Sequence, residues 1–201
     1  MTTYPNIQAF ILGGGKSLRL NRDKAFLRHR GRYFIDIIIE SCASRFRSVH
    51  LVGKRYEHPK LSGCMDDEIQ GVGPLGGILT ALHATDVELN FFVGVDYPLI
   101  DEGIVSMLAD EAIKQHERGM RGLIPVMPDG PHPLFAFYAK SCTSAVLSCI
   151  DKKSLRVQCI SAHSPVHYLD VTTIENGPDF SALQRNFVNI NHIHDLKNID
   201  K

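Results

Sequence analysis

A glycine turn that directly follows an apolar strand constrains this chain most. Residues 7–12, IQAFIL, are largely apolar and predict a buried strand, and Gly13, Gly14 and Gly15 come next. In α/β proteins, ligands bind at the edge of the sheet where parallel strands end. Consecutive glycines let backbone N–H groups converge on an anion because no Cβ intervenes. The stretch therefore predicts a phosphate-binding turn.

Cationic side chains follow the turn and favour a triphosphate ligand. They are Lys16, Arg19, Arg22 and Lys24. A Walker A loop would require glycine in place of Phe10, and a dinucleotide fingerprint would require glycine in place of Leu18, so neither motif is present. The alternative is an ordinary glycine-rich turn with solvated basic residues.

Length and composition exclude several classes of protein. A chain of 201 residues suits one α/β domain, and the formal net charge of zero gives no global field that would favour nucleic acid. No apolar run approaches the ~18 residues of a membrane span, and residues 1–6 lack the features of a signal peptide. The five cysteines form no C-x-x-C pair. We therefore expect free core thiols and a cytoplasmic location.

The rest of the chain alternates predicted strands and helices, which indicates an α/β fold. Residues 56–67 and 172–179 are predicted loops, and residues 154–160 form an element of unassigned type. Residues 33–42 favour a buried helix, although their β-branched side chains leave a strand open. The predicted strands are 49–52, 91–95, 122–126, 134–138 and 166–171, and the further helices are 75–84, 101–116 and 141–150.

Asp96 is the candidate metal ligand. It ends the apolar run 91–95, which is typical of a central parallel strand. A carboxylate at that edge of the sheet suits Mg²⁺, which binds through one or two carboxylates together with substrate phosphates. The alternative is a capping or turn aspartate, because a helix is predicted from residue 101.

A second glycine-containing stretch begins another predicted helix. Gly73 and Pro74 precede it, and its first turn would expose backbone amides. Asp66 and Asp67 lie shortly before and are typical of a solvated acidic turn. His132 could face the ligand cleft, although a surface position in a proline-rich turn is the more common outcome.

Histidine spacing gives no metal site by itself. His163 and His167 are four positions apart, but Pro165 lies between them and breaks the helix on which this spacing would form a pair.

Five segments carry a family resemblance: 12–25 LGGGKSLRLNRDKA, 73–77 GPLGG, 95–99 VDYPL, 132–138 HPLFAFY and 187–191 FVNIN. Together they resemble the MobA family, the guanylyltransferases that make the dinucleotide form of the molybdenum cofactor. The resemblance extends from Ile7 to about Leu196 and implies a single three-layer Rossmann-like nucleotidyltransferase domain with a mostly parallel sheet. A nucleotide-binding half would span about 1–100, with a nucleotide contact from Asp66 or Asp67, and an acceptor-binding half about 101–201.

The resemblance also implies an activity. It is the transfer of GMP from GTP to the terminal phosphate of molybdopterin, with Mg²⁺ as cofactor and other cofactor-biosynthesis proteins as partners. A related enzyme that uses CTP, or a sugar phosphate or other phosphorylated acceptor, is one alternative. A non-catalytic GTP-binding regulator is another, because the chain departs from the family pattern at Asn21, Lys54, Arg55 and His192 to His194.

Residue roles follow from the same resemblance. Asp96, Lys24 and Arg19 are the implied catalytic residues, and Asp96 is also the implied metal ligand. Asn189 and Asn191 are the implied acceptor-binding residues. The implied nucleotide-binding residues are Leu12, Gly13, Gly14, Gly15, Lys16, Lys24, Asp67, Gly73 and Asp96.

Overall fold

A computed structural model describes residues 2–14, 24–174 and 178–190. The strands are β1 (Tyr4–Leu12), β2 (Arg28–His29), β3 (Arg32–Tyr33), β4 (Phe46–Val52), β5 (Gly63–Met65), β6 (Leu89–Gly94), β7 (Gly122–Met127), β8 (Gly130–Pro131), β9 (Phe135–Ala139) and β10 (Val166–Asp170). The α-helices are α1 (Phe34–Ala43), α2 (Pro74–Ala84), α3 (Glu102–Glu117), α4 (Thr143–Asp151) and α5 (Phe180–Asn186). Short 3₁₀ helices cover Lys24–Phe26, Lys140–Cys142, Val157–Ala162 and Val171–Thr173.

One sheet organises the molecule, in the strand order β10-β7-β9-β6-β1-β4-β5, with β8 paired to β7. The pairs are parallel except those of β9 with β6 and β7, and that of β8 with β7. β2 and β3 form a separate hairpin. The chain runs from β1 to β4 and β5 on one side, and β6 lies on the other side of β1. This reversal opens a crevice at the carboxyl ends of β1 and β6.

Helices cover both faces of this sheet, as the apolar strands predict. On β1, Ala9 and Ile11 belong to a core cluster with α1 and α3, whereas Phe10 and Leu12 belong to a second cluster with α2 and α4. The alternation of side chains along a strand accounts for this division. The three-layer, mostly parallel α/β fold expected from the sequence is confirmed.

Several small elements were not predicted. β5 lies inside the predicted loop 56–67, and its three residues are too short to show a period. The β2–β3 hairpin and α5 were also missed. Residues 33–42 resolve as helix α1, and residues 154–160 contribute to a 3₁₀ helix.

The expectation of free thiols is wrong for one pair of cysteines. Cys149 in α4 is joined in a disulfide to Cys159 in the following 3₁₀ helix, with their Cα atoms 5.9 Å apart. The chain folds back between them, and spacing in the sequence does not reveal such a return. Cys42, Cys64 and Cys142 are free.

Among the helices that the structure describes, none combines the length and apolarity needed to cross a bilayer.

The junction between α3 and α5 generates a stability prediction. The Asn186 Nδ2 donates to Asp101 Oδ2 at 2.7 Å, and its Oδ1 accepts from the Asp101 backbone N–H at 2.7 Å. Asn186 is buried, and Asn186→Ala removes both hydrogen bonds, so we expect the free energy of unfolding to fall by about 1–3 kcal/mol in urea titrations. Asn6→Ala, at an exposed position in β1, should change it by less than about 0.5 kcal/mol. Equal losses of unfolding free energy in the two variants would contradict a stabilising role for the Asn186–Asp101 hydrogen bonds.

Candidate active site

The glycine turn and Asp96 leave neighbouring strands at the same level. Leu12 pairs with Gly94 in the parallel register of β1 and β6, and the Val95 N–H donates to the Leu12 carbonyl at 3.3 Å. On the other side of β1, the Gly13 N–H donates to the Val52 carbonyl at 2.9 Å. The first residues of the turn and the Asp96 carboxylate therefore lie at one edge of the sheet.

Asp96 forms an ion pair with Lys24 at this edge. The Lys24 Nζ lies 3.7 Å from Asp96 Oδ2, and each side chain is 17% exposed. Burial raises the pKa of the Asp96 carboxyl, while the positive charge of Lys24 and a hydrogen bond from Asn189 act in the opposite direction. A Cβ at Gly94 would collide with the Asp96 carboxylate, so glycine is required there for this conformation.

Asp67 brings a second carboxylate to the glycine turn. A Cβ at Gly14 would lie 3.1 Å from Asp67 Oδ2, and a Cβ at Gly77 in α2 would lie 3.5 Å from Asp67 Oδ1. Oδ1 is buried and has no hydrogen-bond partner within the described ranges. Burial, followed by the charge of Asp66, raises the pKa of the Asp67 carboxyl. Asp67 is therefore positioned to accept a hydrogen bond from a ligand in the turn.

The neighbouring Asp66 points elsewhere. Its carboxylate is paired with the Arg55 guanidinium, and both side chains are 69% exposed. Lys54 lies with its Nζ 5.3 Å from the centroid of the Phe26 ring. Of the two acidic candidates, only Asp67 lies against the glycine turn.

Gly53 allows the glycine turn to approach the end of β4. It has a φ of +78°, and a Cβ at this position would lie 2.8 Å from Gly14 Cα. At the start of α2, Gly73 precedes Pro74, and no side chain in the described part of the chain caps that helix terminus. The glycines of the turn and Gly53 carry no side chains, so the backbone at this edge leaves room for a ligand.

The segment after α5 reaches the same edge. The Ile190 N–H donates to the Asp96 carbonyl at 2.9 Å, which places Asn189 beside Asp96, where its side chain acts to lower the pKa of the Asp96 carboxyl against the effect of burial. The Asn189 Oδ1 is buried and has no partner among the residues that the structure describes. Like Asp67, Asn189 presents an acceptor that a ligand could satisfy.

Four of the sequence-predicted site residues lie outside the described residues. They are Gly15, Lys16, Arg19 and Asn191. The positions at which the chain departs from the family pattern, Asn21 and His192 to His194, also lie outside the described residues. The structure brings together Leu12, Gly13, Gly14, Lys24, Asp67, Asp96 and Asn189, and it sets Gly73 at the start of the helix that packs on them.

The sequence left two positions open for His132, in the cleft or at the surface, and favoured the surface. His132, for which a surface position was expected, is only 6% exposed and has its Nδ1 3.2 Å from the Tyr97 hydroxyl. The surface expectation is therefore wrong, because the turn that carries His132 packs inward against Phe187. The stretch 132–138 gave the only sequence signal, as part of the resemblance.

The cluster of soft metal ligands found within the described residues does not form an open metal site. Within the described residues, Cys149, Cys159 and His163 place their ligand atoms within 4.8 Å of one another. Because the two sulfurs are bonded to each other, they do not offer thiolates to an ion.

A glycine turn beside a lysine–aspartate pair, at the strand-order reversal of a three-layer sheet, defines a nucleotide-binding α/β protein. Comparison with known families makes this specific. Residues 9–166 match the family model described as the MobA-like NTP transferase domain. The chain belongs to this family of nucleotidyltransferases, which confirms the resemblance seen in the sequence.

Individual relatives agree with this assignment. A "Probable molybdenum cofactor guanylyltransferase" from Clostridium perfringens (strain 13 / Type A) is 30% identical, over 96% of each chain. A protein of the same name from Methanothermobacter thermautotrophicus is 32% identical, over 73% of this chain and 78% of its own length. The crystal structure of a "Molybdopterin-guanine dinucleotide biosynthesis protein A" from Archaeoglobus fulgidus has the same fold, with a TM-score of 0.77 at 24% identity and 96% coverage of each chain.

The close approach at Gly53 can be tested by adding one methyl group. Gly53→Ala and Gly119→Ala both force alanine into a left-handed backbone conformation, which costs about 1–2 kcal/mol. Only Gly53→Ala also pushes against Gly14, since no atom lies within 4 Å of a Cβ at Gly119. Overpacking typically costs a further ~1–3 kcal/mol, so Gly53→Ala should lose more free energy of unfolding in denaturant titrations. A smaller loss than in Gly119→Ala would show that the turn does not pack as described.

Proposed function

We propose that this protein transfers GMP from GTP to the terminal phosphate of molybdopterin and releases pyrophosphate. The observation that carries the proposal is the pairing of Lys24 with Asp96, at 3.7 Å, beside a glycine turn that leaves the adjacent strand. The proposal is supported by relatives that are named molybdenum cofactor guanylyltransferases and match across most of their length.

The reaction needs no general base. The attacking oxygen belongs to an acceptor phosphate that is already an anion, and it forms a bond to the α-phosphorus of GTP. The bond from the α-phosphorus to the β-bridging oxygen breaks, and pyrophosphate leaves with the electron pair. Positioning and neutralisation of charge therefore supply the catalysis.

Lys24 fits the neutralising role. Its ammonium lies at the crevice with Asp96 as counter-ion and remains partly exposed, so a phosphate oxygen can reach it. Lys16 and Arg19 are proposed to add positive charge to the β- and γ-phosphates as the leaving group forms, and Gly15 to contribute backbone contacts with them. The proposed backbone contacts of Leu12, Gly13 and Gly14 would hold base, ribose and phosphate.

The donor set also fits a magnesium ion. Asp96 offers a carboxylate that is largely buried but retains 17% exposure toward the crevice, and Mg²⁺ prefers such an oxygen together with phosphates and water. When bound there, the ion would neutralise charge on the triphosphate. Asp96 would hold the ion, and Lys24 would bind phosphate oxygens.

Asp67 is proposed to bind the nucleotide through hydrogen bonds. Its buried Oδ1 has no partner within the described part of the chain, and a base edge or ribose hydroxyl of GTP would supply the missing donor. Gly73 and the start of α2 would border the same part of the ligand. Residues of about 1–100 would thus form the nucleotide half, and Asn189 and Asn191 would complete an acceptor half formed by about 101–201.

The remaining expectations are part of the same proposal. The cytoplasm is the proposed compartment because GTP is the proposed substrate, and proteins that deliver or collect the cofactor are the proposed partners.

Asp67 and Asp66 form a matched pair for testing nucleotide contact. Asp67→Asn removes a charged acceptor at the glycine turn, so the KM for GTP should rise about tenfold, as expected for a hydrogen bond to a charged group. Asp66→Asn changes an exposed carboxylate that pairs with Arg55 and should leave the KM within about twofold. Equal effects of the two substitutions would remove Asp67 from the site.

The chemistry is tested by pyrophosphate release with purified molybdopterin and Mg²⁺. GTP should support turnover and CTP should not, and chelation of the metal should abolish it. Asp96→Asn should remain folded by thermal melting and lose about a hundredfold or more in kcat.

Other outcomes of this assay would overturn the proposal. Preference for CTP would favour the cytidylyl alternative. GTP binding without pyrophosphate release would favour a regulator. Full Mg²⁺-dependent activity in Asp96→Asn would remove Asp96 from the mechanism.

A further inference from the structure

Two cysteines and a histidine lie together at the end of α4, outside the candidate active site. Cys149 belongs to α4, Cys159 belongs to the 3₁₀ helix Val157–Ala162, and His163 follows that helix directly. One ligand atom from each residue, a sulfur or a ring nitrogen, lies within 4.8 Å of the others. The fold therefore brings together three residues that offer metal-binding atoms.

A Schellman motif at the end of α4 returns the chain to this place. Lys153 has a left-handed backbone conformation with a φ of +55°, and its N–H donates to the Ile150 carbonyl at 2.9 Å. The Ser154 N–H donates to the Cys149 carbonyl, also at 2.9 Å. Both hydrogen bonds are local and join backbone groups. The reversal of the chain therefore does not require a crosslink between side chains.

Apolar packing holds the returning 3₁₀ helix against α4. Val157 and Ile160 are buried in the same core cluster as Ala145 and Val146 of α4. At the end of the 3₁₀ helix, the His163 N–H donates to the Ile160 carbonyl at 3.0 Å. Core contacts and backbone hydrogen bonds thus hold the segments that carry the ligand atoms. We expect these segments to keep their shape when the disulfide is reduced.

The disulfide between Cys149 and Cys159 is one of two states that this cluster can adopt. While the bond is intact, the sulfurs offer no thiolates to an ion. A dithiol reductant, of the class that keeps cytoplasmic thiols reduced, breaks the bond by thiol–disulfide exchange. The reductant becomes a disulfide, and its two electrons and two protons pass to the protein. The protein then carries two thiols beside the His163 ring.

Two cysteines and one histidine form a donor set that suits Zn²⁺. Tetrahedral zinc binds thiolate sulfur at about 2.3 Å, so two sulfurs on one ion lie about 3.8 Å apart. Reduction removes the bond that holds the sulfurs closer than this, and Cys159 is only half-buried, which leaves its side chain room to rotate. Zn²⁺ replaces the two thiol protons, which are released to water.

Exposure to solvent increases from one ligand to the next. Cys149 is buried, Cys159 is half-buried and His163 is exposed. An ion can therefore enter from the side of His163 and reach the sulfurs behind it. Three protein ligands leave a fourth tetrahedral position, which a water molecule can occupy.

We propose that Cys149, Cys159 and His163 form a Zn²⁺ site in the reduced protein, and that formation of the disulfide expels the ion. The redox state of the two cysteines then decides whether this region is held by a covalent bond or by a metal. The proposal does not depend on nucleotidyl transfer, because neither Lys24 nor Asp96 belongs to the cluster.

A zinc titration of the full chain in both redox states tests this proposal. The protein is reduced with dithiothreitol, freed of reductant by gel filtration under nitrogen, and titrated with Zn²⁺ against a chromophoric zinc indicator. The reduced protein should bind one equivalent at least about a hundredfold more tightly than the oxidised protein, which offers only His163 at this place. Equal affinities in the two states, or no binding by the reduced protein, would overturn the proposal.

Matched substitutions separate the proposed ligands from other thiols and imidazoles. Cys159→Ser and His163→Ala should each weaken Zn²⁺ binding by about a hundredfold or more, since loss of an outer-shell partner alone costs about 10–100-fold. Cys64→Ser and His167→Ala change residues outside the cluster and should keep the affinity within about twofold. Equal losses in the ligand and control variants would place the metal elsewhere and overturn the proposal.

Two spectroscopic measurements complete the test. Far-UV circular dichroism of the reduced wild type should retain the helical signal, and loss of that signal would contradict a backbone that stands without the crosslink. Co²⁺ added to the reduced wild type should give the visible bands of a tetrahedral ion and a thiolate charge-transfer band. Co²⁺ bound without the charge-transfer band would overturn the proposal. Because His163 is exposed, His163→Ala still decides the outcome if Cys159→Ser does not fold.

Discussion

The parallel pairing of β1 with β6 is the constraint on which the rest of the structure depends. Because Leu12 and Gly94 lie in register, the glycine turn and Asp96 emerge from adjacent strands at one level. Helix layers on both faces bury the strands up to that point. This register places the glycine turn beside the Asp96 carboxylate, with which Lys24 forms an ion pair.

The polar groups at this edge are arranged at a cost to stability. Burial raises the pKa of both Asp96 and Asp67, so folding disfavours their charged forms. Asp67 Oδ1 and Asn189 Oδ1 are buried, and neither has a partner in the described ranges. A core selected only for stability would satisfy such atoms. A ligand at this edge of the sheet would supply the donors that these two oxygens lack.

The sequence predicted the large elements well because they carry strong signals. The position of the crevice was predicted from the glycine turn and from the apolar runs 7–12 and 91–95. The family resemblance agreed with this prediction. β5 and the β2–β3 hairpin were missed because elements of two or three residues have no measurable period. The Cys149–Cys159 disulfide was missed because it depends on how the chain returns after α4.

Site details required the fold. The sequence did not decide whether Asp66 or Asp67 lies at the nucleotide site. In the structure, only Asp67 packs against Gly14 of the glycine turn. It favoured a surface position for His132, whereas contacts with Phe187 and Tyr97, both distant in the sequence, bury it. Local sequence reports composition and spacing, but such long-range contacts are decided by tertiary packing.

The central claim is that one ligand, a metal-bearing nucleoside triphosphate, lies between the glycine turn and Asp96. Adding Mn²⁺ and GTP to ¹⁵N-labelled protein tests it directly, because the paramagnetic ion broadens nearby amide signals. The account predicts that Gly13, Gly14 and Val95 broaden together, while Gly119, beyond the far end of α3, remains sharp. Broadening that spares either the turn or Val95, or that centres on another region of the protein, would contradict it.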